Sequence, residues 1–233
     1  MTNAREIEDL LKSCTKEERY QIFKNLRQEF SIHPIEAELN TNAEVILDAI
    51  HRGSDLTLRG IRGIIAECTF ALDVAQNLIG WEDVTPKGDH PYDFLLKDTI
   101  GQVRVQVKMQ RQEKQLPKIA QPTSKAWSFL PRAMYLVETQ RTRGGKNSQT
   151  GEKTRPYAFD QFDILAVSLH PSTKDWASFM YTVTAWLLPT EGNPNCLQVF
   201  QPVAQQPDEY WTNEFLESVK WLRSGLRRRL YKE

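Results

Sequence analysis

The sequence has few cysteines and no long apolar run, and each of these features argues against certain classes of protein. Its three cysteines, Cys14, Cys68 and Cys196, lie far apart and form no CxxC pair. This pattern argues against a disulfide scaffold or a structural zinc site and is typical of a reducing cytosol. No apolar run approaches the roughly 20 residues that a membrane helix requires. The N-terminus carries acidic residues where a secretory signal is basic and then apolar, so we expect a cytoplasmic protein without a membrane partner.

Several catalytic motifs are also missing. The sequence contains no Gly-rich phosphate loop, no nucleophile elbow and no HExxH pair. Their absence argues against a nucleotide cofactor and against serine-hydrolase or zinc-protease chemistry. The chain also lacks internal repeats and any linker rich in Pro, Gly and Ser, so no second globular half is expected.

Charge is balanced over the whole chain but is unevenly distributed along it. The 30 Lys+Arg and 30 Asp+Glu residues cancel, yet residues 97–155 contain 13 basic and 4 acidic side chains. That segment has a net charge of +9 and the rest of the chain −9. A basic region in a neutral protein is what a phosphate-binding face requires. A solvated basic loop is the alternative that charge alone leaves open.

The apolar periodicity changes from helical to strand-like after Gly80. Helical patterns cover residues 15–30, 42–51 and 57–79, and in the third we expect a stripe containing Ile64, Leu72 and Ile79 to face the core. Short alternating runs predict strands at 92–96, 102–109, 134–138, 164–169, 179–188 and 198–203, followed by a helix over 209–230. Helices, strands and a final helix in this order predict an α/β (α+β) fold.

Three polar residues are expected to converge in a β-hairpin formed by 92–96 and 102–109. If paired positions sum to 199, Asp93 lies opposite Gln106, and Lys108 points to the same face as Gln106. Their neighbours in the strands are apolar, and burying an unpaired polar group costs about 2–7 kcal/mol. The hairpin therefore indicates a functional site.

These groups suit phosphodiester hydrolysis. A carboxylate and a second oxygen ligand can hold Mg²⁺, which polarises a phosphoryl oxygen. A lysine beside the ion can orient the attacking water or stabilise the developing negative charge. Glu67, at the border of the apolar stripe of helix 57–79, offers another carboxylate. An ordinary boundary glutamate is the alternative interpretation of Glu67.

The helix glutamate Glu67, the Pro91-Tyr92-Asp93 triplet, the hairpin and Gln106-Val107-Lys108 resemble the PD-(D/E)xK nuclease superfamily. This superfamily includes many type II restriction endonucleases, and the resemblance covers about residues 60–169. It implies a restriction-endonuclease-like central mixed sheet flanked by helices and Mg²⁺-dependent cleavage of DNA. It also implies that Asp93 is the shared metal ligand, Gln106 the second ligand, Lys108 the catalytic lysine, and Glu67 the acidic residue of the preceding helix.

Gln106 departs from the usual motif, in which the second ligand is an acid. An amide offers an oxygen but no charge, so the site loses one unit of attraction for Mg²⁺. Some branches of the superfamily look similar, with QxK in place of ExK. Glu67 is the residue that can supply the missing charge.

Amide and basic side chains downstream of the motif are the expected DNA contacts. Such residues neutralise phosphates and read base edges, although a solvated surface is the alternative for at least half of them. The set is Gln110, Arg111, Lys114, Lys118, Arg141, Arg143, Lys146, Lys153 and Arg155.

The resemblance implies a bacterial type II restriction endonuclease that cleaves double-stranded DNA at a short sequence. A palindromic target demands a two-fold arrangement, so we expect a homodimer. Residues 57–233 would form the nuclease core with its C-terminal helix, and residues 1–56 an N-terminal helical segment for dimerisation or DNA clamping. A repair or junction-type nuclease and a catalytically decayed DNA-binding module are the two alternatives.

Overall fold

The computed structural model describes residues 2–31, 33–140 and 156–231. The chain forms two compact units, Met1–Ile61 and Arg62–Glu233. The boundary falls inside a helix, a few residues after the division expected at residue 57. No helix of the described ranges is long and apolar enough to cross a membrane.

The first unit is helical, as predicted. Thr15 and Asn42 cap two of its helices. Oγ1 of Thr15 accepts from the backbone N–H of Glu18 at 3.2 Å, and the Glu18 carboxylate accepts from the Thr15 N–H at 2.8 Å, which completes a capping box. The helices, with the last one continuing into the second unit, are α1 Thr2–Ser13, α2 Lys16–Glu29, α3 Pro34–Glu38, α4 Ala43–His51 and α5 Asp55–Thr69.

Large apolar side chains of these helices remain exposed. Tyr20 is 65% exposed and Phe30 is 61% exposed, and several aliphatic side chains are also exposed. Among the described residues of this unit only Glu36 is buried, and its carboxylate accepts from the backbone N–H groups of His33 and Ala43 at 2.8 and 3.0 Å. The other large apolar residues exposed on α2 to α5 of this unit are Ile22, Phe23, Leu26, Ile35, Leu39, Val45, Leu47 and Leu56.

The second unit carries the strands. After α5 the chain makes a π turn, Phe70–Val74, and a 3₁₀ turn, Ala75–Asn77. Two helices follow later, α6 His170–Thr173 and α7 Phe215–Ser224. The strands are β1 Glu82–Asp83, β2 Phe94–Lys97, β3 Gln102–Met109, β4 Gln112–Glu113, β5 Leu116–Pro117, β6 Ile119–Ala120, β7 Met134–Glu138, β8 Ile164–Ser168, β9 Phe179–Val183, β10 Pro189–Thr190, β11 Asn193–Leu197 and β12 Phe200–Val203.

The central sheet is mixed and has the order β1-β2-β3-β8-β9. Strands β2 and β3 pair antiparallel, β3 and β8 pair parallel, and β8 and β9 pair antiparallel. A second sheet has the order β12-β7-β6, and β4–β5 and β10–β11 are two-stranded ribbons. An isolated bridge between Gln140 and Pro156 joins the chain on either side of residues 141–155.

The central sheet is buried on both faces, which explains the continuous apolar character of β8 and β9. On one face Val105 and Ile164 pack with Phe70 beyond α5 and with Phe215 of α7. On the other face, Leu165, Val167 and Met180 pack with Leu136 and Val203 of the second sheet. The expected central mixed sheet with flanking helices is confirmed, and a β-layer lies on the face opposite α5 and α7.

The predicted helix over 57–79 and its core-facing stripe were wrong in detail. The α-helix ends at Thr69, and Ile64, Leu72 and Ile79 are 57%, 57% and 99% exposed. The buried face instead carries Ala66 and Phe70. The Phe70 ring lies 5.0 Å from the ring of Phe94 and 5.8 Å from those of Phe179 and Phe215. Because this aromatic cluster buries more area than the isoleucine side, it fixes which face turns inward.

Two other expected elements are shorter than predicted. Strand β9 ends at Val183 because Thr184–Trp186 forms a 3₁₀ turn that places Trp186 in the interior. Helix α7 ends at Ser224, because the next residue, Gly225, has a φ of 68°, the left-handed conformation that stops helices.

Candidate functional site

The β2–β3 hairpin has the predicted register. Phe94 pairs with Val105 and Lys97 with Gln102, so paired positions sum to 199 as expected. Asp93 immediately precedes β2, and its backbone N–H donates to the Val105 carbonyl at 3.0 Å. The strand pairing itself ends at Phe94 and Val105, and the side-chain amide of Gln106 donates to the Asp93 carboxylate, so the two residues lie side by side.

The Asp93 carboxylate is held by β3 through one of its oxygens. Oδ2 accepts from the backbone N–H of Val107 at 2.7 Å and from the side-chain amide of Gln106. Gln106 is 2% exposed, and its Nε2 also donates to the Val107 carbonyl at 3.3 Å. Among the described residues, no hydrogen bond reaches Oδ1 of Asp93, which leaves that oxygen for a ligand.

Lys108 lies on the same face of β3 as Gln106. In the parallel pairing with β8, Gln106 stands next to Leu165 and Lys108 next to Val167, two residues that belong to one apolar core. The Lys108 side chain is half-buried, and its Nζ lies 5.5 Å from the centre of the Tyr157 ring. Strand alternation thus brings the lysine to the same side of the sheet as the amide.

Glu67 completes the group from helix α5. Its pKa is raised from 4.5 to about 7, mainly by burial and next by the negative charge of Asp93, against the opposing effect of the positive charge of Lys108. Burial also raises the pKa of Asp93, against the opposing effects of Lys108 and of the hydrogen bonds from Val107 and Gln106. The structure therefore brings Glu67, Asp93, Gln106 and Lys108 together. Their catalytic and metal-binding roles stay a prediction.

The donor set is compatible with Mg²⁺. The described residues contain no cluster of three or more His, Cys, Asp or Glu side chains that could hold a metal ion. A cation here would rely on the carboxylates of Asp93 and Glu67 and on the Gln106 amide oxygen. Mg²⁺ commonly binds to one or two carboxylates and keeps several waters, so this set suffices. The mutual repulsion of the two carboxylates is what a bound cation would relieve.

Gln110, an expected DNA contact, lies inside the fold. Its side chain is fully buried, and its Oε1 accepts from the Ser172 hydroxyl at 2.8 Å. Its backbone N–H donates to the Ser168 carbonyl at 2.9 Å. These bonds connect the end of β3 to β8 and α6. In this conformation the side chain has no exposed surface to offer DNA.

Arg111 is partly exposed and fixed by an acid. Its Nη1 lies 2.8 Å from Oε2 of Glu138, and the two side chains are 24% and 26% exposed. The other oxygen of Glu138 accepts from the side-chain amide of Gln140. An arginine and an amide, the two groups most suited to reading base edges, are therefore held side by side.

The remaining expected DNA contacts differ in their surroundings. Lys114 is exposed, at a positive φ of 49° between β4 and β5. Lys118 lies 3.3 Å from the Glu113 carboxylate and 5.7 Å from the centre of the Phe200 ring. The others lie outside the described residues, namely Arg141, Arg143, Lys146, Lys153 and Arg155.

Sequence reasoning missed the contacts that two residues make near the site. Tyr157 follows the basic segment and places its ring beside Lys108. Asp163 accepts from the backbone N–H, Nε and Nη2 of Arg104 at 2.8, 3.1 and 2.7 Å, which fastens the start of β8 to β3. The partners are far apart in the sequence, so no local pattern could reveal either contact.

Comparisons with known proteins add little. No family model and no curated protein sequence matches the chain. Among solved structures, a bacterial homing endonuclease is similar, with 20% sequence identity, a TM-score of 0.37, and coverage of 74% of this chain and 96% of that chain. A likeness this distant supports no functional inference, so function must be inferred from the site itself.

Proposed function

We propose that this protein is a Mg²⁺-dependent endonuclease that hydrolyses phosphodiester bonds of double-stranded DNA at a specific short sequence, as type II restriction enzymes do. One observation carries the proposal. Two carboxylates, Asp93 and Glu67, lie near a buried amide and a lysine, and burial together with the negative charge of Asp93 raises the pKa of Glu67 to about 7. Two carboxylates held close together are unfavourable when no cation is bound, and a bound cation would stabilise them.

Three side chains of this chain would hold the ion. The Asp93 and Glu67 carboxylates would supply charge, and Gln106 its amide oxygen. In the structure the Gln106 amide nitrogen faces Asp93, so the amide must turn over before its oxygen can share a cation with that carboxylate. Oδ1 of Asp93 needs no such rearrangement.

Lys108 would act directly on the scissile phosphate. Its ammonium is close enough to Asp93 and Glu67 to affect the pKa of both. From there it can orient the attacking water or stabilise the negative charge that develops on the phosphoryl oxygens. Mg²⁺, when bound, would supply further positive charge to the same oxygens.

Two separate features of the chain support the proposed DNA binding and the proposed dimer. The net charge of +9 on residues 97–155 supports contact with a polyanion. A palindromic site would be cut by two copies related by a two-fold axis. We assign the dimer contact to residues 1–56, and the exposed aromatic and aliphatic side chains of their helices support this assignment.

Purified protein incubated with phage-length duplex DNA tests the proposal directly. We expect discrete fragments with Mg²⁺ and none with EDTA. Lys108→Ala should abolish cleavage, whereas Lys97→Ala, an exposed lysine of the same hairpin, should not. Cleavage by Lys108→Ala at the parent rate would refute the assigned mechanism. A smear, or nicking confined to branched substrates, would favour a repair or junction-type nuclease instead.

A DNA-binding module with a decayed nuclease site is the second candidate function. It is favoured by Gln106, which places a neutral amide donor against Asp93 where the family pattern has an acid. This candidate predicts binding that weakens with salt and persists with Mg²⁺, but no cleavage product. The outcome of the incubation with Mg²⁺ separates it from the enzyme.

A further inference from the structure

Tyr157 presents its ring to the amino group of Lys108. The distance from Nζ to the ring centre is 5.5 Å, within the range of a cation–π interaction. The tyrosine is 5% exposed, so the contact is largely shielded from water. Cation–π attraction strengthens as water is removed.

The ring itself is firmly placed. The ring of Phe162 meets it edge-on, with centroids 5.3 Å apart and planes at 90°. The Tyr157 carbonyl accepts from the backbone N–H of Leu197 at 2.8 Å. The next residue, Ala158, pairs with Cys196 and donates to Oε1 of Gln161 at 3.2 Å. The aromatic face is therefore a fixed point, whereas the lysine stem is flexible.

Lys108 needs such a fixed point because two carboxylates compete for it. Asp93 and Glu67 both attract its ammonium. No hydrogen bond or ion pair within the described parts of the chain holds Nζ. An ammonium in contact with either carboxylate would neutralise a metal ligand and leave the phosphate without its partner. An aromatic face attracts the cation without offering an acid.

We propose that Tyr157 is a positioning residue, which holds the Lys108 ammonium over its ring and away from the two carboxylates until the phosphate binds. The role rests on the proposed nuclease function. It concerns a residue outside the nuclease motif.

Two substitutions give the first test, with single-turnover cleavage of duplex DNA as the readout. Tyr157→Phe keeps the aromatic face and should cleave within twofold of the parent. Tyr157→Leu keeps an apolar group but loses the face, and should cleave about tenfold more slowly, within the range of a shielded cation–π contact. The DNA concentration for half-maximal rate should stay within twofold. Equal rates for the two variants would overturn the proposal.

Fluorinated phenylalanines separate electrostatics from packing. Mono-, di- and trifluorophenylalanine at position 157 keep the ring shape while weakening its negative face stepwise. The cleavage rate should fall at each step. The same series at Phe162, which packs on Tyr157 without facing the lysine, is the matched control and should be flat. A flat series at position 157, or an equal decline at 162, would overturn the proposal.

A measurement without catalysis distinguishes this proposal from the nuclease proposal. Protons on the Lys108 carbon next to Nζ should show a ring-current upfield NMR shift in the parent and in Tyr157→Phe, and should lose it in Tyr157→Leu. A parent that shows the shift but never cleaves DNA refutes the nuclease, and with it any positioning role in cleavage. A parent that cleaves without the shift refutes the role of Tyr157 alone.

Discussion

Asp93 and Val107 are joined by a hydrogen bond of 2.7 Å from the backbone N–H of Val107 to Oδ2 of Asp93. The carboxylate is therefore fixed by the strand that also carries Lys108. Asp93 lies just before β2, and this bond to β3 fixes its carboxylate relative to the lysine. A change at Asp93 must consequently affect both the chemistry and the hairpin.

Asp93→Asn and Asp93→Ala should separate these two effects. The asparagine oxygen can still accept from Val107, so we expect stability within about 1 kcal/mol of the parent. Alanine leaves a buried N–H unsatisfied and should cost about 1–3 kcal/mol. Both variants should lose cleavage by at least about a hundredfold, because both remove the charge that holds the ion. Urea denaturation and cleavage assays check this, and an active Asn variant would contradict it.

Gln106→Glu should make stability depend on Mg²⁺. Without metal the variant sets two carboxylates against each other in a buried place, which should cost about 1–3 kcal/mol. With millimolar Mg²⁺ its thermal midpoint should rise more than that of the parent, since a bound ligand stabilises the folded state.

Gln201→Glu is the matched control for that experiment. Gln201 is also fully buried, donating to the Leu188 carbonyl and accepting from the Leu188 N–H, both at 2.8 Å. The glutamate should destabilise the fold without any rescue by Mg²⁺. If Mg²⁺ stabilised both variants equally, the metal site could not be assigned to the hairpin.

Glu67→Gln should stabilise the metal-free protein at alkaline pH. The pKa of Glu67 is raised from 4.5 to about 7 in the folded state. The parent therefore keeps this contribution to stability below pH 4.5 and loses it as the pH rises through 7. With EDTA at pH 8 the variant should gain about 1–2 kcal/mol, discounted for partial exposure. At pH 5 the gain should be much smaller.

Chemical denaturation at the two pH values measures this, with Glu82→Gln, an exposed carboxylate of β1, as the control. The control should show no comparable difference between pH 5 and pH 8. Destabilisation by Glu67→Gln at pH 8 would mean that the glutamate is a structural partner and not a strained ligand.

Asp163→Ala should destabilise the second unit. The aspartate accepts three hydrogen bonds from the backbone and guanidinium of Arg104, whose pKa it raises. We expect a loss of about 2 kcal/mol, because a backbone donor and a partly buried charge lose their partner. Asp160→Ala is the control, since Asp160 contributes its backbone carbonyl to Arg104 and keeps it after substitution. Equal effects of the two substitutions would contradict the structural role of Asp163.

Arg111→Ala should weaken duplex binding, and the salt dependence should reveal the kind of contact. A phosphate contact predicts a salt slope lower by about 1 and equal loss on all sequences, whereas a base contact predicts loss of sequence preference. Arg132→Ala is the control, because Arg132 also pairs with an acid, Asp208 at 2.7 Å, but is not among the expected DNA contacts. If Arg111→Ala bound duplex DNA as tightly as the parent, the ion pair between Arg111 and Glu138 would have only a structural role.

The hairpin and its polar residues were predictable because they are local. Alternation and a short turn fix the register of β2 and β3, and the register places Asp93, Gln106 and Lys108. Glu67 was proposed from its position at the border of an apolar stripe, although the stripe itself was assigned to the wrong face; its role stays a prediction. The helical patterns that begin at residues 15 and 42 were equally local and predicted two helices, which Thr15 and Asn42 cap in the structure.

The rest depends on contacts between distant residues. The burial of Gln110 follows from its bond to Ser172, and the ring beside Lys108 comes from Tyr157. The second sheet pairs β7 with β12, strands separated by β8 to β11. The residue spacing within either strand does not identify the strand with which it pairs. Local patterns therefore defined the groups at the site but not the groups that surround them.

The bridge between Gln140 and Pro156 affects which sequence changes this protein can accept in evolution. Gln140 and Pro156, the described residues on either side of positions 141–155, pair with each other, so the two ends of that stretch of sequence are held together. We therefore expect that insertions and exchanges between Gln140 and Pro156 can be inherited without disturbing the hairpin that carries Asp93 and Lys108, and that the five basic residues at 141–155 can diversify.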